Sequence, residues 1–310
     1  MESVCIRVPA TTANLGPGFD SLGMALDLWN ETSFERCPQG IHIDIHGEGA
    51  KGLTRNAGNL IAQSALRIFA MSGHLPAPGL IIRCKNDIPL GSGLGSSAAA
   101  VLCGLLGGNI LLDEPLDRSQ ILELATEIEG HPDNVAPGLL GGLVISTTLI
   151  PSPTDVRPPI VTRRVEVPCL SVAVVVPAID LPTRASRAAL PVQVAIRDAV
   201  FNIGRVALVV EALRSGDLGL LGQVMDDRLH QPYRLKLIPG AEAAIRAAKK
   251  AGAAAAALSG AGPGIVAFAI DEAAMIADAM VDAFRMEGVE ARAWALHVTA
   301  QGATVNAGSA

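Results

Sequence analysis

The stretch Pro89-Leu90-Gly91-Ser92-Gly93-Leu94-Gly95-Ser96-Ser97-Ala98-Ala99-Ala100 decides the reading of this chain. Three glycines at alternate positions allow positive φ and a close approach of backbone to ligand. Successive N–H groups then turn into one concavity, which suits an anion. An Ala/Leu-rich helix follows from about Ser97 to Leu112, adding unpaired N–H groups and the positive end of its dipole. Ser96 and Ser97 supply hydroxyls, as donors or as a ligand for the magnesium that accompanies ATP. Taken alone, the same residues also read as an ordinary turn capped by serine. Two other phosphate loops fail. No Gly-Lys pair occurs, so this is not a Walker loop, and a dinucleotide fingerprint would need glycine where Ser96 stands.

Outward from this loop the chain reads as alternating strands and helices. Residues 4–9 form a strand, Thr11 to Asp20 a turn-rich loop, and Ile41 to His46 a strictly alternating, half-buried strand. Asn59 to Met71 carries helical periodicity and Leu80 to Cys84 a short strand. Ser119 to Glu129 reads as a helix ending at Gly130, and Gly138 to Thr148 as β-like. After the Pro-rich stretch 151–168, a strand (Ser171 to Pro177) and a long helix (Ala195 to Leu213) follow. The helix from Ala241 to Lys250 leads into two strands joined by a glycine loop within 251–270. A last helix (Ile276 to Glu287), a closing strand (Ala291 to Val298) and ten frayed residues complete the chain. This order suggests an α+β protein in two halves, divided as 1–155 and 156–310.

Composition narrows the classes. Half of the 310 residues are apolar and 17% are charged, so the chain is globular. Thirty acidic against 24 basic residues give a net charge of −6. No Lys/Arg cluster stands out, which argues against nucleic acid or an anionic membrane as partner. The uncharged stretch 251–270 nears membrane-spanning length, but its glycines and Pro263 break any lipid-facing helix. The N-terminus lacks a secretion signal. Five cysteines, none in C-x-x-C spacing, read as free thiols in a reducing compartment, the cytoplasm.

The string P-x-G-x-G-L-G-S-S-A-A resembles the phosphate-binding motif of the GHMP kinases. Three more segments are similar to that family, in order over roughly residues 4–270. They are Val8-Pro-Ala-Thr-Thr-Ala-Asn14-Leu-Gly16-Pro-Gly18-Phe19-Asp20, Glu129-Gly-His131-Pro-Asp133-Asn134, and Leu258-Ser259-Gly260-Ala-Gly262-Pro263-Gly264. The first two are similar to the substrate loops of members that phosphorylate homoserine. The resemblance implies an N-terminal domain like the second domain of ribosomal protein S5 and a ferredoxin-like C-terminal domain, with the site in the cleft between. It implies ATP with Mg2+ and transfer of phosphate to the hydroxyl of L-homoserine, for threonine biosynthesis. Alternatives are another small alcohol, such as shikimate or mevalonate, or a non-catalytic nucleotide or amino-acid sensor. A homodimer is left open.

Carried onto this sequence, the resemblance assigns roles residue by residue. Homoserine is a zwitterion, so its site needs an anion for the ammonium and cations for the carboxylate. Asp20 matches the first, assisted by Asn14, and Arg187 and Arg234 the second. His131 and Asn134 face the substrate, with His131 disfavoured as a general base because phosphoryl transfer needs placement and neutralisation more than basicity. Pro89 through Ala99 form the phosphate loop, joined by Ser259, Gly260 and Gly262, with Asn59 near the adenine. Ser97 supplies the hydroxyl for the metal and Glu127 or Glu129 the carboxylate, ranked above Glu123. Asn14, Arg187 and these glutamates make the catalytic set. From residue types alone, Asp20 also reads as a turn residue, the arginines as solvated charges, and His131-Pro132 as a helix stop. His42, Asp44 and His46 read as a solvated strand face.

Overall fold

The computed structural model describes residues 3–74, 77–113, 115–153, 155, 157–269 and 272–307. Its first sheet is built from β1 (Ser3–Ala13), β2 (Leu22–Cys37), β3 (Ile41–Gly47), β4 (Gly79–Asn86), β5 (Leu143–Thr148) and β6 (Ile160–Val165). In β1, Val4, Ile6, Val8 and Ala10 alternate into the core. Among these six the order is β1-β2-β4-β3, with β5 joining β2 and β6 joining β5; β3 and β4 pair in parallel.

Four helices accompany this sheet: α1 (Leu60–Met71), α2 (Ser96–Leu111), α3 (Arg118–Glu129) and α4 (Pro132–Leu140). α2 is the central one, packed against β1, α1, α3 and α4. Its Ala, Gly, Val and Leu side chains are buried on nearly every face, as expected for a helix with no polar stripe. Asn59 caps α1, accepting from Ile61 N at 3.0 Å. Asp117 and Gln120 form a capping box on α3, which stops at left-handed Gly130.

The second sheet holds β7 (Ser171–Pro177), β8 (Ala255–Leu258), β9 (Ile265–Ala269) and β10 (Ala291–His297) in the antiparallel order β10-β7-β9-β8. Between β7 and β8 run α5 (Thr183–Ala188), α6 (Ile196–Ser215), α7 (Leu218–Val224), α8 (Gln231–Arg234) and α9 (Ala241–Lys250), and α10 (Ala273–Met286) links β9 to β10. Numbered within this half, the order 4-1-3-2 with helical crossovers is ferredoxin-like. α9 and α10 cover one face through Ala244, Ala248, Ile276, Met280 and Phe284. Val172, Val174 and Phe268 on the other face join Val209, Leu213 and Leu221 in the main core.

The structure alters several expectations. Thr11–Ala13 belong to β1, because that strand pairs with β2 up to Ala13–Gly23. Pro132 does not merely stop α3: it opens α4 at a first-turn position, where its missing N–H costs nothing. The final residues are not all frayed, since β11 (Thr304–Ala307) pairs antiparallel with β1; residues 308–310 lie outside the described residues. Sheet membership does not follow the 155/156 division, because β6 and β11 both belong to the first sheet. The stretch 251–270, by contrast, is as expected: β8 and β9 joined by a glycine turn, apart from Ile270, which lies outside the described residues. Among the described residues no helix is long and apolar enough to cross a membrane.

Candidate active site

Three loops meet where the two sheets face each other: the β1–β2 loop, the glycine loop before α2 and the turn between β8 and β9. Their backbones touch. A Cβ on Gly93, whose φ is +77°, would stand 2.1 Å from Ser259 O, so only glycine fits. Gly260 N donates to Ala13 O at 3.1 Å and Gly264 N to Ser92 O at 3.1 Å. Ser259 Oγ donates to Gly93 O at 2.7 Å and is hydroxyl-bonded to Thr12 Oγ1 at 2.9 Å. The side chains of Ser259, Ser92 and Leu94 are buried within this junction, so these residues hold the loops together. The backbone takes part as well: Leu94 N donates to Ser92 Oγ at 3.2 Å and Ser259 N to Gly264 O at 2.8 Å.

The glycine loop ends at Gly95, left-handed at φ +70°, and no side chain caps α2. That removes the serine-capped turn as a reading. A Cβ on Gly95 would lie 2.0 Å from Thr11 Oγ1. The N–H groups of Ser96, Ser97 and Ala98 open the helix and have no intrahelical acceptor. Ala99 differs: its N–H is used by Gly95 O at 2.9 Å. Pro89 O accepts from Ser92 Oγ at 2.7 Å, shaping the loop from outside.

A cleft of about 240 Å3 lies over this helix end. Gly91, Gly93, Gly95, Ser96 and Ser97 form one wall, Gly260 and Gly262 another. Asn14, Asp20, Glu129, His131, Asn134, Arg187 and Arg234 complete it, together with Asp133, Asp180 and Thr183, which the sequence reading did not single out. Asp133 stands inside a motif quoted above, and Thr183 lies four residues before Arg187, at the start of the same short helix. A second hollow, about 300 Å3, opens off Gly91, Ser96 and Ser97 and is walled by Leu53, Asn59, Leu60, Ile61 and Leu90.

Charge is arranged in layers. Ser97 Oγ donates to Glu129 Oε1 at 2.6 Å. Burial pushes the Glu129 carboxyl above its usual range, although the Ser97 hydrogen bond opposes this. Glu127 is not in the cleft: its carboxylate is held at the surface by Arg67 and Arg157. His131 Nδ1 makes a short hydrogen bond to Asp133, which is 2% exposed. Burial alone would lower the His131 pKa, but the Asp133 hydrogen bond and charge outweigh it and the net shift is upward. Asn134 Oδ1 accepts from Thr11 Oγ1 at 2.8 Å.

On the opposite wall, Asn14 and Asp20 are both left-handed, at φ 70° and 54°, a conformation these residue types tolerate. Asn14 Nδ2 donates to Gly260 O at 2.7 Å and Asn14 Oδ1 accepts from Asp20 N at 2.9 Å, so this amide sets the position of Asp20. Arg187, on α5, makes a bidentate pair with Asp20 at 2.8 and 3.0 Å. Arg234, at the end of α8, is 1% exposed, yet among the described residues no carboxylate pairs with it. Burial lowers its pKa, while a guanidinium stays charged at any ordinary pH. His42, Asp44 and His46 lie on an exposed strand face, with Asp44 bonded to His46 at 2.8 Å and Arg55 at 3.1 Å.

The cleft thus sets the opening of a helix beside a buried arginine that no carboxylate pairs among the described residues. The GHMP kinase N-terminal domain family matches residues 59–142 and the GHMP kinase C-terminal family residues 209–285. Homoserine kinase of Moorella thermoacetica is 47% identical over 286 residues, 92% of this chain and 94% of that protein. Homoserine kinase of Carboxydothermus hydrogenoformans is 43% identical, over 93% of this chain and 92% of its own. The crystal structure of homoserine kinase from Cytophaga hutchinsonii superposes with a TM-score of 0.85 at 32% identity, covering 99% and 98% of the two chains. The chain belongs to the GHMP kinase family, in its homoserine kinase branch.

Proposed function

We propose that this protein transfers the γ-phosphate of ATP to the hydroxyl of L-homoserine, giving O-phospho-L-homoserine for threonine biosynthesis. The observation that carries the reading is Arg234: a buried guanidinium lining the cleft that no carboxylate pairs among the described residues. Keeping an unpaired cation out of water is costly, and a substrate carboxylate removes that cost. Asp20 and Arg187, already paired at 2.8 Å, are spaced for a zwitterion, the ammonium on Asp20 and the carboxylate on the two arginines.

In this reading the N–H groups of Gly91 to Gly93 and Gly95 to Ala98 hold the triphosphate, that of Leu94 being taken by Ser92 Oγ, and the hollow beside Asn59 and Leu60 takes the adenine. Ser97 and Glu129 fit Mg2+, one hydroxyl and one carboxylate beside the phosphate wall, the sparse protein donor set this ion favours. The ion supplies neutralisation of phosphate charge there. His131 and Asn134 orient the homoserine hydroxyl toward the γ-phosphate. His131 is not needed as a base, because a loose transition state rests on placement and charge neutralisation; its Nδ1 bond to Asp133 orients the ring. The hydroxyl proton therefore leaves late, onto the transferred phosphate, in a loose transition state. Five free thiols support a cytoplasmic site of action.

Coupled ADP release with homoserine, mevalonate and shikimate side by side tests the reading. Turnover is expected with homoserine alone; nucleotide binding without turnover of any alcohol would favour a sensor. Replacing Asp20 by asparagine is expected to raise the homoserine KM about thirtyfold, by loss of a charge-assisted hydrogen bond, and to leave the Kd for ATP unchanged. A parallel loss of nucleotide affinity would remove Asp20 from this role.

A second copy of the chain is the proposed occupant of the exposed stripe Ile196, Val200 and Ile203 on α6, which are 79%, 60% and 67% exposed. Gly204, beside Ile203, lets two such helices cross closely about a two-fold axis. Light scattering of the wild type should give a dimer mass, and Ile203→Glu half of it; a monomeric wild type contradicts the assignment.

A further inference from the structure

His230 is 0% exposed and lies one helical turn before Arg234, outside every motif discussed above. Its ring stacks on Phe19 of the β1–β2 loop, with centroids 5.2 Å apart. The partners of the two ring nitrogens fix its tautomer. Nε2 lies 2.8 Å from Gly16 O, an acceptor, so it carries the proton. Nδ1 lies 3.3 Å from Arg234 Nη1, a donor, so it is the bare nitrogen.

We propose, resting on the homoserine reading, that His230 is a positioning residue that holds Arg234 against the substrate carboxylate as an uncharged hydrogen-bond acceptor. The chemistry explains why an imidazole suits the position. A carboxylate there would orient Arg234 equally well but would cancel the charge the substrate needs. A neutral acceptor orients the guanidinium and leaves its charge available. The arrangement is rigid: Asp227, itself bonded to Asn202 at 2.6 Å, accepts from the His230 N–H at 2.9 Å, and Arg234 Nη1 also reaches Gly260 O at 3.3 Å. The Asp227 carboxylate stands 3.6 Å from Nε2, but burial lowers the His230 pKa and keeps the ring neutral, so this is not an ion pair.

Two substitutions separate the two nitrogens. The side-chain amide of His230→Asn can present an oxygen near the Nδ1 position, whereas that of His230→Gln can reach Gly16 but leaves methylene facing Arg234. The expected result for His230→Gln is a homoserine KM raised about tenfold, with kcat and the ATP KM nearly unchanged. His230→Asn should recover most of that loss. With the amino diol in which the carboxylate is reduced to hydroxymethyl, all three enzymes should be alike, because Arg234 then has no carboxylate to meet. Equal losses in both variants, a loss that persists with the amino diol, or a fall in kcat matching the rise in KM would overturn the proposal. Should His230→Gln fail to fold, a tenfold KM rise in His230→Asn overturns it as well. Wild-type enzyme that ignores homoserine would instead refute the proposed function, which the same assay detects first.

Discussion

Replacing Arg234 by leucine is expected to raise the homoserine KM about a hundredfold while leaving thermal stability near that of the wild type. The two effects share one cause. Removing one partner of a buried, hydrogen-bonded charge pair costs about 2–5 kcal/mol, so the substrate complex loses roughly that amount. In the free protein the arithmetic reverses. Arg234 is 1% exposed without a carboxylate partner, and its Nε is a buried donor with no acceptor among the described residues. Exchanging a buried charge for a packed apolar side chain is often neutral or stabilising. Against this gain stands the buried His230 Nδ1, which loses its donor, whereas Gly260 O keeps its hydrogen bond from Asn14 Nδ2, so the net change in Tm is expected to be small. Thermal unfolding and homoserine kinetics on the same preparation check both halves. A Tm several degrees lower with an unchanged KM would make Arg234 a structural residue.

Replacing Glu129 by glutamine is expected to raise the Mg2+ concentration for half-maximal activity about a hundredfold, with a matching loss of rate at fixed Mg2+. Loss of groups that only support a metal ligand costs about 10–100-fold in affinity, and a direct ligand falls at or beyond the upper end. Glu127→Gln is the control. Its carboxylate pairs at the surface with Arg67 and Arg157, and such pairs contribute about 0–1 kcal/mol. Glu129 also sets a pH signature. Burial raises its pKa above 4.5, so as pH falls it gains a proton earlier than an exposed glutamate and metal binding fails with it. The acid limb of the Mg2+ dependence should therefore lie at higher pH than an exposed glutamate would give, and vanish in Glu129→Gln. Equal behaviour of the two glutamine variants would return the metal site to an unassigned carboxylate.

The rivalry between these two glutamates shows where sequence reading stops. Residues two apart on a helix point about 200° from one another, so only one can face the cleft. Which one is set by the phase of the helix, fixed when Ile121, Leu124 and Ala125 bury against the core. Local periodicity detects α3, but the direction of the cleft is tertiary information. The glycine loop and α2 were legible because their chemistry is local: alternate glycines, then residues that can only form a buried helix. α4 was missed because proline ends one helix and opens another with the same ring. β11 was missed because small polar residues form a strand here only through pairing with β1, at the opposite end of the chain. His230 carries no motif, and its role emerges only when Gly16, Phe19 and Arg234 are seen together.

A crystal structure with homoserine and a non-hydrolysable ATP analogue tests the central claim most directly. The expected result is triphosphate on the N–H groups of Gly91 to Gly93 and Gly95 to Ala98, with the homoserine carboxylate hydrogen-bonded to Arg234 and its ammonium on Asp20. Triphosphate bound away from the glycine loop, or a homoserine carboxylate that leaves Arg234 without a partner, would contradict it.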